Sequence, residues 1–150
     1  MRRRVPAVVQ VGKFLRMVLP AVVVLFIGAL SIFGFLSYRI THPPAAPESV
    51  NPSHYLLPSL DVGWASRDGT QVGGWWIPGL TGAPCIILVP GYGMSRAAVL
   101  SMAVLLRQRG FHLLTYDQRG NGAAPKGACS LGLHETEDLA AAVDFVKTRR

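Results

Sequence analysis

Acidic side chains are scarce in this sequence and missing from its first third. Of 150 residues only eight are Asp or Glu, none of them before Glu48, against 15 Lys and Arg. Six of the bases (Arg2, Arg3, Arg4, Lys13, Arg16 and Arg39) precede residue 41, so six of the seven formal net charges belong to the N-terminal segment. From residue 41 onward nine bases face eight acids. That balance, with no basic stripe interleaved with aromatics, excludes nucleic acid as a partner. Cysteine is equally scarce. Cys85 and Cys129 are the only two, too few for a disulfide framework. Cys85 lies inside an apolar run and reads as a small core residue, and Cys129 lies in a glycine-rich loop. Whether they are oxidised is not legible. His42, His54, His112 and His134 are scattered, without the close pairs that zinc sites use. Neither a metal nor any other cofactor is implied.

What the first third does contain is a long uncharged run, from Val18 to Tyr38. As a helix it reaches about 31 Å, the thickness of the hydrocarbon core of a bilayer. Pro20 falls in its first turn, where a missing N–H costs little. Tyr38 and Arg39 suit the far interface. A cleavable signal peptide would have a shorter apolar region, about 7–15 residues, and a small-residue cleavage site. Here Ala29-Leu30-Ser31 is buried in the run and Ala46 precedes a proline. The sequence therefore divides into a basic segment at 1–16, a transmembrane anchor at 17–38, a proline-rich linker at 39–55 and a folded part at 56–150. Five bases precede the span and only Arg39 closely follows it. The positive-inside rule then places the N-terminus in the cytoplasm and the rest outside a plasma (inner) membrane crossed once. The lipid bilayer is a partner through residues 17–38. Pro43, Pro44, Pro47 and Pro52 make the linker an extended spacer that holds the folded part off the membrane.

The folded part reads as alternating strands and helices. Asp61–Ser66 and Gln71–Ile77 flank Arg67-Asp68-Gly69-Thr70, a hairpin signal. Trp64, Trp75 and Trp76 supply packing area for one sheet face, and Gly73-Gly74 marks a weak point or bulge. Cys85–Val89 is apolar at every position, as in a strand covered on both faces. Ser95 is placed to cap a helix from Arg96 to about Gln108, which Gly110 closes. Phe111–Tyr116 is the next strand. Residues 118–132 form a loop, and a last helix runs from about Glu135 to Thr148 with acids at its start and bases at its end. A strand, a helix and a second strand make a βαβ unit and hence a parallel pair, so the fold class is α/β.

Two turns in this part carry a family resemblance. Val89-Pro90-Gly91-Tyr92-Gly93, followed by Ser95-Arg96, resembles the oxyanion loop after the third strand of α/β-hydrolases. Asp117-Gln118-Arg119-Gly120-Asn121-Gly122 resembles the D-x-R-G-x-G turn after their fourth strand. The hairpin before and the helix after also fit, so the resemblance covers residues 56–150. It is closest to bacterial lipase, esterase and serine-aminopeptidase-like enzymes. Pro90 and Asn121 stand where histidines are common, and Ala124 where a serine is common. The resemblance implies the N-terminal part of an α/β-hydrolase sheet (hairpin, then βαβα), preceded by the transmembrane helix. It also implies a serine hydrolase acting on a small acyl substrate such as a carboxyl ester. By resemblance the backbone N–H of Tyr92 is an oxyanion donor, and Asp117 and Arg119 tie their loop by hydrogen bonds and a charge pair. In this fold the G-x-S-x-G elbow, the acid and the histidine come later than the second helix, so the triad is expected beyond residue 150 and the segment alone is expected to be inactive.

Two other readings remain open on the sequence. Gly93-Met94-Ser95-Arg96-Ala97 is a degenerate elbow, and Asp117 and His134 follow it in triad order, which would make a miniature hydrolase of Ser95, Asp117 and His134. A non-catalytic, membrane-tethered interaction module or a gene remnant is the third.

Overall fold

The computed structural model describes residues 7–44, 50–124 and 128–149, with the backbone alone at 7–13 and 15. Arg2–Arg4, the middle of the proline-rich linker and Arg150 lie outside the described residues. Two units are present, Met1–Arg39 and Ile40–Arg150.

The first unit is helical. α1 runs Ala7–Thr41, and its last two residues belong to the second unit. Within it Arg16–Thr41 is apolar and long enough to cross a membrane, with a mean hydropathy of 2.6 and no buried side chains. Pro20 is not in the first turn, as the sequence had implied, but inside the helix, because helical structure begins at Ala7. One proline removes a single N–H bond, and apolar helices accommodate that loss. Ser31 spends its hydroxyl on the carbonyl of Ile27 (2.8 Å), so no side-chain donor of this residue is left for an apolar surrounding to strand.

The second unit is a four-stranded mixed sheet between two helices. β1 (Leu60–Ala65) and β2 (Gln71–Ile77) form the hairpin, β3 (Cys85–Leu88) and β4 (His112–Tyr116) the parallel pair, in the order β1-β2-β4-β3. β2 joins the two halves by antiparallel pairing with β4. The hairpin turn is closed by Ser66 N–H to the Thr70 carbonyl (2.8 Å), with Gly69 at φ +84° and Asp68 accepting from Thr70 N–H (3.0 Å). The ladder runs through Gly73 and Gly74 without a bulge. Gly74 is required for another reason: a Cβ there would lie 2.5 Å from the carbonyl oxygen of Thr115 on β4.

Side chains alternate across the sheet, and the tryptophans follow that alternation. Trp64 and Trp76 join Val72, Leu114 and Tyr116 beneath Ala141, Ala142 and Val146 of α3 (Glu135–Lys147). Trp75 faces the other way and packs with Ile77, Leu88 and Leu113 beneath Leu100 and Ala103 of α2 (Leu100–Gln108). The three tryptophans thus serve both faces, because neighbouring residues in a strand point to opposite sides. Leu113, Leu114, Thr115 and Tyr116 of β4 are fully buried. The linker is not a free spacer at its described ends: Pro43 and Pro52 are buried, and Leu57 belongs to the core under α2. Asn51 caps a short 3-10 turn at Pro52–Tyr55, and its side chain accepts from Ser53 N–H at 3.1 Å.

Candidate functional site

Because β3 and β4 are parallel, the segments that leave them emerge at the same end of the sheet. After β3 the chain makes a tight turn in which Met94 N–H bonds the Gly91 carbonyl (3.1 Å). Gly93 sits at φ +74°, a value that favours glycine at the third position of such a turn. A 3-10 turn, Arg96–Val99, follows and feeds α2. After β4 the chain makes the Asp117–Gly122 turn. There Gly122 is indispensable, because at φ +55° a Cβ would come within 2.1 Å of the Asp117 carboxylate.

Two buried side chains of the second turn hold the first. Asn121, 2 % exposed, accepts the N–H of Gly93 on Oδ1 (2.9 Å) and donates from Nδ2 to the Arg119 carbonyl (2.9 Å). Asp117, 3 % exposed, accepts the N–H of Arg96 on Oδ1 (2.7 Å) and that of Ala123 on Oδ2 (3.2 Å). The Arg96 guanidinium lies 3.4 Å from Asp117 Oδ2 and stacks over the ring of Trp75, 4.2 Å from its centroid. Ser95 occupies the N-cap position but makes no capping bond with its side chain. Asp117 supplies that bond, and a carboxylate at a helix entrance is the stronger acceptor. Tyr92 lies between β3 and these fixed points, and its N–H donates to none of the described residues.

Arg119 does not pair with Asp117. Its Nε and Nη2 grip both oxygens of Asp138 on α3 (2.7 and 2.6 Å), while Nη1 reaches Asp68 of the hairpin (2.7 Å). The hydrogen bond from Arg119 holds the exposed Asp68 carboxyl far below its ordinary range, and the two carboxylates, Asp138 first, raise the guanidinium further. Both residues tie their loop, as expected, but to different partners. Glu135 opens α3. Burial alone would push its pKa up, but it accepts from the Ser130 hydroxyl, from Ser130 N–H (2.7 Å) and from Gly132 N–H (2.8 Å), which bring it down to about 2. It thereby fixes the loop that precedes the helix.

The three residues of the miniature triad have other neighbours. Ser95 is buried, the carboxylate of Asp117 serves Arg96 and Ala123, and the half-exposed His134 points Nδ1 at Glu137 (3.4 Å). Cys85 and Cys129 are not joined in a disulfide, and burial pushes the Cys129 thiol up. Asp68, His134 and Glu137 bring one ligand atom each within 4.8 Å of one another, but Asp68 is already neutralised by Arg119. A cleft of about 560 Å³ lies at the opposite end of the strands, lined by Trp76, Cys85, His112 and Arg149 among others, so it is separate from these turns. The sequence had placed Asp68 only in the hairpin turn and Asp138 only among the acids that open the last helix, neither as a partner of Arg119, and Asn121 stood only as a departure from the family pattern. The asparagine two residues after Arg119 was the one available signal.

A mixed sheet whose parallel strands end in a stapled glycine turn and a D-x-R-G-x-G turn, flanked by one helix on each face, defines the α/β-hydrolase class. Comparisons agree. The chain is similar to the esterase Pf2001 of Pyrococcus furiosus, with a TM-score of 0.66 and 27 % identity over 74 % of this chain and 43 % of that one. It is also similar to the α/β-hydrolase GrgF of a Penicillium species, with a TM-score of 0.52 and 30 % identity over 61 % of this chain and 32 % of that one. In sequence it is 28 % identical over 120 residues to an uncharacterized protein of Mycobacterium tuberculosis, covering 77 % of this chain and 43 % of that one. It is 36 % identical over 69 residues to the Penicillium polyketide transferase grgF, covering 45 % and 24 %. No family model matches. The chain belongs to the α/β-hydrolase superfamily and spans less than half the length of these relatives.

Proposed function

We propose that this chain is the N-terminal part of a membrane-anchored serine hydrolase for carboxyl esters or related acyl compounds. In this reading Tyr92 N–H is an oxyanion donor and the nucleophile elbow is supplied by sequence beyond residue 150. One observation carries the proposal. Gly93 N–H and Arg96 N–H are each bound by a buried side chain of the neighbouring turn, while Tyr92 N–H between β3 and these points has no acceptor among the described residues. A fixed donor without a partner costs nothing to reorganise when negative charge develops on a substrate oxygen. The esterase likeness supports the choice of acyl chemistry.

The test is covalent labelling. Residues 1–150 incubated with a fluorophosphonate are expected to stay unlabelled. A gene product that continues through a G-x-S-x-G elbow should label, and Tyr92→Pro in it should lower kcat by about 100- to 1000-fold, the usual effect of losing one oxyanion donor. Label on Ser95 of the 150-residue chain would overturn the assignment in favour of the miniature triad.

A further inference from the structure

We propose that the turns holding the candidate oxyanion site rest on the outer surface of the bilayer, so that the site takes acyl substrates held in the membrane rather than dissolved ones. This rests on the membrane-anchor reading and extends it to the substrate.

The argument lies within the second unit. Its first residues, Ile40 and Thr41, are also the last of the apolar helix. The carbonyls of a helix's final turn have no partners within the helix. Here two of them are taken by the loops at the C-terminal end of the parallel strands. The hydroxyl of Tyr92 donates to the Ile40 carbonyl (2.6 Å), and Cys129 N–H donates to that of Thr41 (2.7 Å). Pro43 is buried and lies against Gly93, 4.0 Å from where a Cβ would be. If the run ending at Thr41 spans a bilayer, the oxyanion turn and the 128–134 loop are bonded to residues at its interface.

The surface of those loops fits that position. Tyr92, Met94, Leu131 and Leu133 are all exposed, Leu133 by 71 %. Leu131 also holds a positive φ of 55°, which a leucine adopts at a cost. Neither Pro90–Arg96 nor Ala128–His134 contains an acid, so nothing in them is repelled by anionic headgroups. The one strong charge, Arg96, is occupied by Asp117. Exposed aromatic and aliphatic side chains without acids, on loops bonded to Ile40 and Thr41, match a lipid interface.

Native methionines make the test free of mutations. Met94 on the oxyanion turn and Met102 on α2 are 51 % and 56 % exposed, so hydroxyl radicals should oxidise them alike in water. The full chain is placed in phosphatidylcholine vesicles containing phosphatidylglycerol, at a lipid excess that keeps copies apart, and footprinted. Phe26 and Phe33 of the apolar run report on the anchor. The expected result is that Phe26, Phe33 and Met94 are protected while Met102 reacts, Met94 an order of magnitude more slowly than Met102. Protection of both phenylalanines with Met94 reacting as fast as Met102 would overturn the interfacial placement and leave the anchor standing. Phenylalanines as reactive as Met102 would overturn both.

Discussion

Asn121→Ala is the perturbation that isolates the staple between the two turns. The side chain is 2 % exposed and makes two hydrogen bonds of 2.9 Å, one from Gly93 N–H and one to the Arg119 carbonyl. Truncation leaves a half-buried donor, Gly93 N–H, and a half-buried acceptor, the Arg119 carbonyl, without their partner. An orphaned group of this kind costs about 1–3 kcal/mol, less where water enters the gap. The cost falls on the turn and not on the sheet, because neither partner lies in a strand. The readout is therefore local. Amide exchange at Gly93, measured on the full chain in lipid nanodiscs, should accelerate by about five- to 150-fold, the factor that corresponds to those energies. Amides of Leu113–Thr115 on β4 should keep their protection. Two results would refute the reasoning: an unchanged Gly93, which would mean that the turn is held by its own backbone, or equal acceleration at Gly93 and on β4, which would mean that Asn121 supports the whole unit. In a completed enzyme the same variant should lower kcat more than it raises KM, because the bond fixes a group used in the transition state.

Other outcomes follow from the charges around the site. Arg119→Met leaves Asp138, 2 % exposed, as an unpaired buried carboxylate and should cost about 3–5 kcal/mol in urea unfolding. Arg119→Lys should recover only part of it, because a point charge cannot engage both oxygens of Asp138 and reach Asp68 as well. Glu135 contributes stability through a folded pKa of about 2, below the ordinary 4.5 of a glutamate. That contribution is complete above pH 4.5 and is lost as the pH falls toward 2, so unfolding curves taken across that window should steepen for the native chain and flatten for Glu135→Gln. For the anchor, reporter fusions after Arg150 should be active with a periplasm-dependent enzyme and silent with a cytoplasm-dependent one. The reverse would invert the orientation read from the basic N-terminus.

What the sequence made legible was local. An apolar run between proline and glycine gave β3, Asp68-Gly69 gave the hairpin, and the acids and bases at the two ends of α3 gave its direction. The site depended on pairings across the chain, and these are not written locally. Ser95 looks like a cap because of its type and position, yet the capping acceptor is Asp117, 21 residues on. Arg119 has an acid two residues away but takes partners 51 residues upstream and 19 downstream. Such choices are made by the strand order, which puts the hairpin turn, the β4 turn and the start of α3 together. The sequence reading put all three tryptophans on one sheet face, whereas the strand period sends the adjacent Trp75 and Trp76 to opposite faces, as the structure shows.

β3 raises the last question, since it and β4 are written in the same apolar alphabet but are buried differently. Four residues of β4 are fully buried, whereas Cys85, Ile86 and Ile87 of β3 are only partly so. Helices cover both faces of each strand: Ile87 packs toward the α3 core and Ile86 toward the α2 core. The faces therefore do not explain the difference. The number of strand neighbours does: β4 lies between β2 and β3, while β3 pairs with β4 alone among the described residues. An apolar strand without charge or proline at a sheet edge offers a row of free N–H and C=O groups to any other strand. Residues 40–150 expressed alone should therefore self-associate with rising concentration and unfold without a sharp transition, as followed by sedimentation and thermal melting. A monomer with a cooperative melt would show that this edge is closed by means other than a strand. A polypeptide supplying one more parallel strand beside Cys85–Leu88 should abolish the self-association, and only a strand placed there would also bring its C-terminal end to the turn that carries Tyr92.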